Sequence, residues 1–261
     1  MHLDTPEPVI DPRAQAAADR RRFVGALVAA LAATAALVAI YIMQGLLFEP
    51  RGFAVVPGSA AGLVGVATAP LLHGSPAHLL ANATAILMLG TLAGAVYPKA
   101  TLRGLPLAWL GSGLGAWLLG DPGSHHLGAS GVTHGLMFLL LGLGLLRRDR
   151  PAIAAAMIAF LFYGGMLLTV LPQEPGVSWQ SHLGGAVGGL LAAWCFRNAD
   201  PRAPRRRYSW EVEDALAAER GAGDDDTLEP ARPDRVPVLW RREDPSRGTV
   251  LRFPPRRGDD D

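Results

Sequence analysis

Ser130 stands in Gly128-Ala129-Ser130-Gly131, where a short polar loop gives way to an apolar run over residues 132–146. A hydroxyl in an apolar medium needs a partner, because leaving it unpaired costs roughly 2–7 kcal/mol. If a helix starts here, its first N–H groups point outward unpaired and its dipole favours negative charge. Those are ingredients for a nucleophile beside part of an oxyanion site, although a Gly/Ala/Ser seam for helix packing uses the same residues. Other polar groups widen the chemistry: His73, His78, Asn82, His125, His126, His134 and His182. His78 and Asn82 are four apart, which puts two hydrogen-bond donors on one helix face. Ser130 and His134 are also four apart, and helical side chains lean toward the N-terminus, aiming His134 back at the hydroxyl. His182 is the other candidate base; it reaches Ser130 if Gly185-x-x-x-Gly189 lets its helix approach closely. No Asp or Glu interrupts the apolar segments, so a Ser–His dyad without a charged third member is the economical arrangement. Val132 replaces the last glycine of a Gly-x-Ser-x-Gly elbow, which argues against an α/β-hydrolase.

The elements that must position these groups are membrane helices. Half of the 261 residues are hydrophobic and only 18% are charged. The apolar residues are segregated into segments long enough to cross a bilayer, which takes about 20 residues each. Six are expected, over residues 23–48, 78–97, 104–120, 128–146, 151–171 and 180–196. The expected fold is an all-α membrane protein with six transmembrane helices. A cytoplasmic N-terminal tail (1–22) precedes the membrane domain (23–197), and a mostly disordered cytoplasmic tail (198–261) follows it. A net charge of +1 indicates no nucleic-acid partner, and the lone Cys195 excludes a disulfide framework or cysteine metal cluster. Residues 23–48 exceed the roughly 7–15 residues of a signal-peptide core, so no cleavable leader is expected.

Basic residues set the orientation. Arg20-Arg21-Arg22, Lys99 with Arg103, Arg147 with Arg148 and Arg150, and the arginines from Arg197 onward alternate with loops whose only cation is Arg51. The positive-inside rule then places both termini in the cytoplasm. The apolar stretch 53–72 would break that alternation if it spanned; its Pro57, Pro70 and glycines suit an outer loop lying partly in the interface. Pro106 is expected in the first turn of the third span, where its missing N–H costs little. A short amphipathic helix is expected over 210–220, with Ser209 as its N-cap. In this topology the second, fourth and sixth spans all run inward. His78, Asn82, Ser130, His134 and His182 thus share one depth near the outer face, where six of the seven histidines gather. Polar groups at such a depth are expensive in lipid and usually functional.

Three motifs together resemble the rhomboid family of intramembrane serine proteases, in its six-helix bacterial form. They are His73-x4-His78-x3-Asn82, Gly128-Ala129-Ser130-Gly131 and His182-x2-Gly185-x3-Gly189. The resemblance covers residues 23–196. It implies Ser130 as nucleophile, His182 as general base, and His78, Asn82 and the Ser130 N–H as oxyanion donors. It implies supporting places for His73, Gly128, Gly131, His134, Gly185 and Gly189, with span five and the loop 172–179 as a gate. Two departures stand out: the Trp-Arg pair often seen in the first outer loop is absent, and His134 occupies a position where many relatives carry Tyr or Phe.

The reading is an endopeptidase of the bacterial inner membrane that cuts transmembrane segments of other membrane proteins near the outer face. Its partners would be those substrates and the lipid bilayer, with no nucleic acid, no metal and no cofactor; the oligomeric state is open. One rival is a metal transporter or sensor built on the histidines, which needs at least three converging nitrogen ligands. Another is a catalytically inactive rhomboid-like binding protein.

Overall fold

The computed structural model describes residues 12–172, 176–201 and 209–221. Among these residues the chain is helical, with only two isolated β-bridges, Gln44 to Phe48 and Val55 to His126. The helices are α1 (Pro12–Met43), α2 (Val64–Thr68), α3 (Pro76–Ala85), α4 (Thr91–Val96), α5 (Pro98–Leu119), α6 (Ser130–Arg147), α7 (Arg150–Tyr163), α8 (Trp179–Phe196) and α9 (Ser209–Gly221). A π-helical turn, Ile86–Gly90, joins α3 to α4 without a break. Helices thus lie over each of the six predicted segments.

Among the described residues, four stretches are long and apolar enough to cross a membrane: Arg13–Met43, Pro76–Val96, Ser130–Arg147 and Arg150–Leu167. α5 and α8 are less apolar because glycine, serine and tryptophan dilute them, and α8 also carries Gln180 and His182. The apolar window of α6 is 78% buried and that of α1 only 11%, which makes α6 the core and α1 the periphery. Phe23, Leu31 and Ile42 on α1 and Met157, Leu161 and Phe162 on α7 stand exposed, as lipid-facing residues do.

Glycines decide how the interior helices meet. α8 presents Gly184 and Gly188 to α5: a Cβ at Gly184 would lie 2.1 Å from the Gly111 carbonyl oxygen, and one at Gly188 2.3 Å from that of Leu107. Toward α6 it presents Gly185 and Gly189, and a Cβ at Gly189 would lie 2.1 Å from the Gly135 oxygen. Backbones this close leave no space for side chains, which is how small residues drive helix association in lipid. Below the glycine contacts, Leu136, Met137, Leu139, Leu140 and Leu143 of α6 pack with alanines of α7 and α8.

Several boundaries differ from the sequence reading. α1 begins at Pro12, well before the apolar run, and stops at Met43, where the chain turns through Gly45 at φ +79. α5 begins at Pro98, so Pro106 sits inside the helix and not in its first turn. Its missing N–H removes one intrahelical bond, a loss that buried membrane helices tolerate. The stretch 53–72 is not a plain loop: it forms short helical turns over Ala61–Leu71 and folds back on itself. Gly65 permits this, since a Cβ there would lie 2.3 Å from the Ala54 backbone. Indole N–H groups of α5 pin the turns, Trp109 to the Ala67 carbonyl at 3.1 Å and Trp117 to that of Ser59 at 2.9 Å.

At the opposite end of the bundle, buried Arg147 donates to the carbonyls of Arg197 (2.7 Å), Asp200 (2.9 Å) and Pro201 (3.0 Å), and to the Asp149 carboxylate (3.0 Å). The Asp200 carboxylate accepts the N–H groups of Lys99 and Ala100, at 3.0 and 2.9 Å, and so caps α5. α9 lies where the amphipathic helix is expected. Residues 198–201, expected in the disordered tail, are instead held by the Arg147 and Asp200 bonds; apart from them and α9 that tail, like residues 1–11 of the expected N-terminal tail, lies outside the described residues.

Candidate active site

α6 begins at Ser130 itself, so the Ser130 N–H is among those a helix leaves without an intrahelical partner. Ala129 occupies the cap, and Gly128 before it adopts φ +123. Glycine is required there twice over, since that conformation excludes other residues and a Cβ would strike the His78 ring at 2.4 Å. α3 is started by Pro76 and by the Ser75 hydroxyl, which accepts the His78 N–H at 3.1 Å. One turn further on, Asn82 shares the face of His78. α8 is capped by Ser178, whose hydroxyl accepts the Ser181 N–H at 3.4 Å, and His182 lies at the end of that first turn.

These three helix starts meet around one open cavity of about 1150 Å³, lined by Ser130, His182, His78 and Asn82 among others. Across it the Ser130 hydroxyl lies 2.8 Å from His182 Nε2. His182 Nδ1 lies 2.9 Å from the Thr169 carbonyl oxygen, which can only accept, so Nδ1 carries the hydrogen. In the neutral ring Nε2 is then bare and faces the hydroxyl, the arrangement in which imidazole takes a proton from an alcohol. Asn82 is 4% exposed and its Nδ2 has no hydrogen-bond partner. Leaving a buried donor unmet costs about 1–3 kcal/mol, and this one borders the same cavity as the hydroxyl.

His134, the simpler partner by spacing, does not reach the Ser130 hydroxyl. Its Nδ1 bonds the Ser130 carbonyl oxygen at 2.6 Å and its Nε2 the Thr169 hydroxyl at 2.8 Å. The ring lies flat against His182, centroids 3.9 Å apart and planes inclined by 13°. Gly131 and Gly185 make the pairing geometrically possible: a Cβ at Gly185 would sit 1.9 Å from the Gly131 oxygen, one residue from Ser130. Gly189 repeats the contact deeper in the bundle.

His73 lies outside the cavity lining, fully buried behind His78 with ring centroids 5.1 Å apart. Burial first, and then the neighbouring His78, push its pKa down to about 4, against a weaker pull from the Leu71 carbonyl. The Gln44 amide grips its backbone from both sides, donating to the His73 carbonyl and accepting the His73 N–H. His126 works in the wall: its backbone pairs with Val55 and its ring bridges Ser124 (2.8 Å) to Ser178 (2.6 Å). Burial lowers its pKa. Thr169, Gln44 and Ser178 were missed in the sequence. Thr169 contributes a carbonyl that any residue carries and a hydroxyl, and these, like Gln44 and Ser178, matter only through contacts far along the chain.

Among the described residues no group of three or more His, Cys, Asp or Glu side chains is arranged to hold a metal ion. An uncharacterized protein of Mycobacterium bovis is 41% identical over 141 residues, a stretch covering 51% of this chain and 59% of that protein. An uncharacterized protein of Mycobacterium leprae is 38% identical over 140 residues, covering 51% of this chain and 55% of the relative. The aligned part thus spans less than two thirds of the length of these curated relatives. The rhomboid domain model matches residues 60–199, more than half of the chain, and takes in every helix that lines the cavity. Rhomboid domains generally belong to intramembrane serine proteases, with inactive members among them. Apolar helices long enough to span, a glycine-held interior and this match establish an integral, multi-pass membrane protein that belongs to the rhomboid family.

Proposed function

We propose that the chain is an intramembrane serine endopeptidase in which Ser130 is the nucleophile and His182 the general base. The observation that carries this reading is the 2.8 Å approach of the Ser130 hydroxyl to His182 Nε2, with the opposite ring nitrogen held by a carbonyl. In the first step the Ser130 Oγ–H bond breaks, Nε2 takes the proton, and Oγ bonds to the scissile carbonyl carbon. The negative charge on the former carbonyl oxygen is met by the unpaired Asn82 amide, the His78 ring and the Ser130 N–H. Collapse expels the amine, which takes the proton from His182 and leaves an acyl ester on Ser130. Water, deprotonated by His182, then bonds to the acyl carbon; the Ser130 Oγ–carbon bond breaks, Oγ takes the proton back from His182, and the acid product leaves.

All six helices cross the membrane on this reading, with both termini in the cytoplasm and the cavity opening toward the outer face. Substrates are transmembrane segments cut near that face. A peptide bond inside a helix hides its carbonyl in the i→i−4 ladder, so the substrate must unwind locally first. The histidine-cluster rival needs three converging ligands, whereas His73 with His78 and His134 with His182 form edge-on and stacked pairs and the His126 ring bonds serines. An inactive binding protein would have no use for a hydroxyl and a bare ring nitrogen held face to face.

The test is a fluorophosphonate probe on the purified protein. Ser130→Ala should abolish labelling and cleavage while the protein still folds. Labelling that persists in that variant removes the nucleophile assignment.

A further inference from the structure

We infer that Thr169 is a positioning residue for the base and that His134 acts through it; this rests on the Ser130–His182 reading above. Thr169 lies in the turn after the 3-10 segment Gly164–Leu167, which ends α7. Both of its polar groups are used by the site. The carbonyl accepts His182 Nδ1–H at 2.9 Å, and the hydroxyl meets His134 Nε2 at 2.8 Å.

Counting hydrogens fixes the direction of each bond. His134 Nδ1 faces the Ser130 carbonyl oxygen, which only accepts, so Nδ1 carries the hydrogen and Nε2 is bare in the neutral ring. The Thr169 hydroxyl therefore donates to His134, in preference to its longer contact with the Met166 carbonyl at 3.3 Å. The same reasoning gives His182 a hydrogen on Nδ1. Two stacked imidazoles thus hold the same tautomer, both read by one threonine. The links close a ring, from the Ser130 carbonyl through His134, Thr169 and His182 back to the Ser130 hydroxyl.

The ring gives His134 a purpose that stacking alone does not require. A phenyl group in its place would cover the His182 face but accept nothing from Thr169. The turn itself bonds locally, Leu168 N–H to Gly165 and Leu171 N–H to Leu168. The hydroxyl-to-His134 bond is what ties its carbonyl to α6. When His182 takes the Ser130 proton, the Nδ1–H to carbonyl bond becomes charge-assisted and strengthens. A carbonyl held in register by His134 therefore fixes the tautomer and orientation of the base, the part of a triad carboxylate's role that needs no charge.

Four full-length proteins in detergent test this: wild type, Thr169→Val, His134→Phe and the double variant, read by kcat, KM and the pH profile of kcat. Thr169→Val should lower kcat about fivefold to tenfold, the scale of one neutral hydrogen bond, with KM little changed. The acid limb should move to lower pH, because a displaced carbonyl stabilises the imidazolium less. In the His134→Phe background the same change should cost nothing further, and Thr169→Ser should keep most of the wild-type rate. Additive losses, an unaltered Thr169→Val enzyme, or a Thr169→Ser enzyme as slow as Thr169→Val would overturn the inference. Should Thr169→Val not fold, ¹⁵N-histidine NMR of wild type decides instead: His134 and His182 should both be Nδ1–H tautomers, and an Nε2–H tautomer at His134 overturns it. Wild type that fails to label at Ser130 would instead remove the protease reading beneath it.

Discussion

Gly185→Ala is the perturbation that most directly tests whether helix approach creates the site. The new Cβ would lie 1.9 Å from the Gly131 carbonyl oxygen and 2.6 Å from its carbon, whereas real Cβ contacts essentially never fall under 3.0 Å. The obstacle is backbone, so no side chain can swing aside. α6 and α8 must separate by at least about 1 Å at that level. Ser130 adjoins Gly131 and His182 is one turn before Gly185, so nearly all of this displacement falls on the Ser130–His182 pair. From 2.8 Å the pair would open to nearly 4 Å, beyond hydrogen-bonding reach. A misplacement of about 1 Å can cost about 10²-fold in rate, and we expect at least that loss in kcat. Gly184→Ala is the matched comparison, because its Cβ meets the Gly111 oxygen at 2.1 Å but pushes α8 from α5 instead of from α6. Both variants should lose thermal stability to a similar degree; only Gly185→Ala should lose fluorophosphonate labelling and cleavage, scored per folded molecule. Full activity in Gly185→Ala, or equal inactivity in the two, would refute the claim that this contact sets the catalytic distance.

Three further outcomes follow from the geometry. Asn82→Ala should lower kcat by about 10²–10³, the usual loss of an oxyanion donor, with KM nearly unchanged; a defect confined to KM would make Asn82 a binding group. A chain ended after Pro201 should keep cleaving a reference substrate in detergent. Ending it after Arg197 removes the carboxylate that caps α5 and two acceptors of buried Arg147, and thermal unfolding should fall sharply. His73, with its pKa lowered to about 4 in the fold, binds a proton more readily when unfolded. Its contribution is whole above about pH 6.5 and shrinks as pH falls toward 4, by up to about 3 kcal/mol. Thermal unfolding against pH should show this acid-side loss, and His73→Gln should flatten it.

The amino-acid sequence by itself determined the class of protein and named the residues of a candidate site. Hydrophobic segregation marks the helices, because lipid leaves backbone groups no partner except each other. Polar residues near the starts of apolar segments mark the site, because their desolvation needs a purpose: Ser130, His182, His78 and Asn82 are all found around one cavity. Boundaries were less legible. α5 runs through Pro106 because packing on α6 and α8 outweighs one missing bond, and Ala61–Leu71 coils because Gly65 can lie against Ala54. Only the tertiary structure separates the two histidines by their place beside the hydroxyl. Spacing favoured His134, whose four-residue offset from Ser130 is a local fact of any helix. The contact between Gly131 and Gly185 is not local, and it brings His182 to the hydroxyl across 52 residues of chain. His134 is turned instead to the Ser130 carbonyl and to Thr169, a residue no motif singles out. A side chain's partner along a helix can be read from its period, but the partner across helices depends on which backbones come close enough to touch.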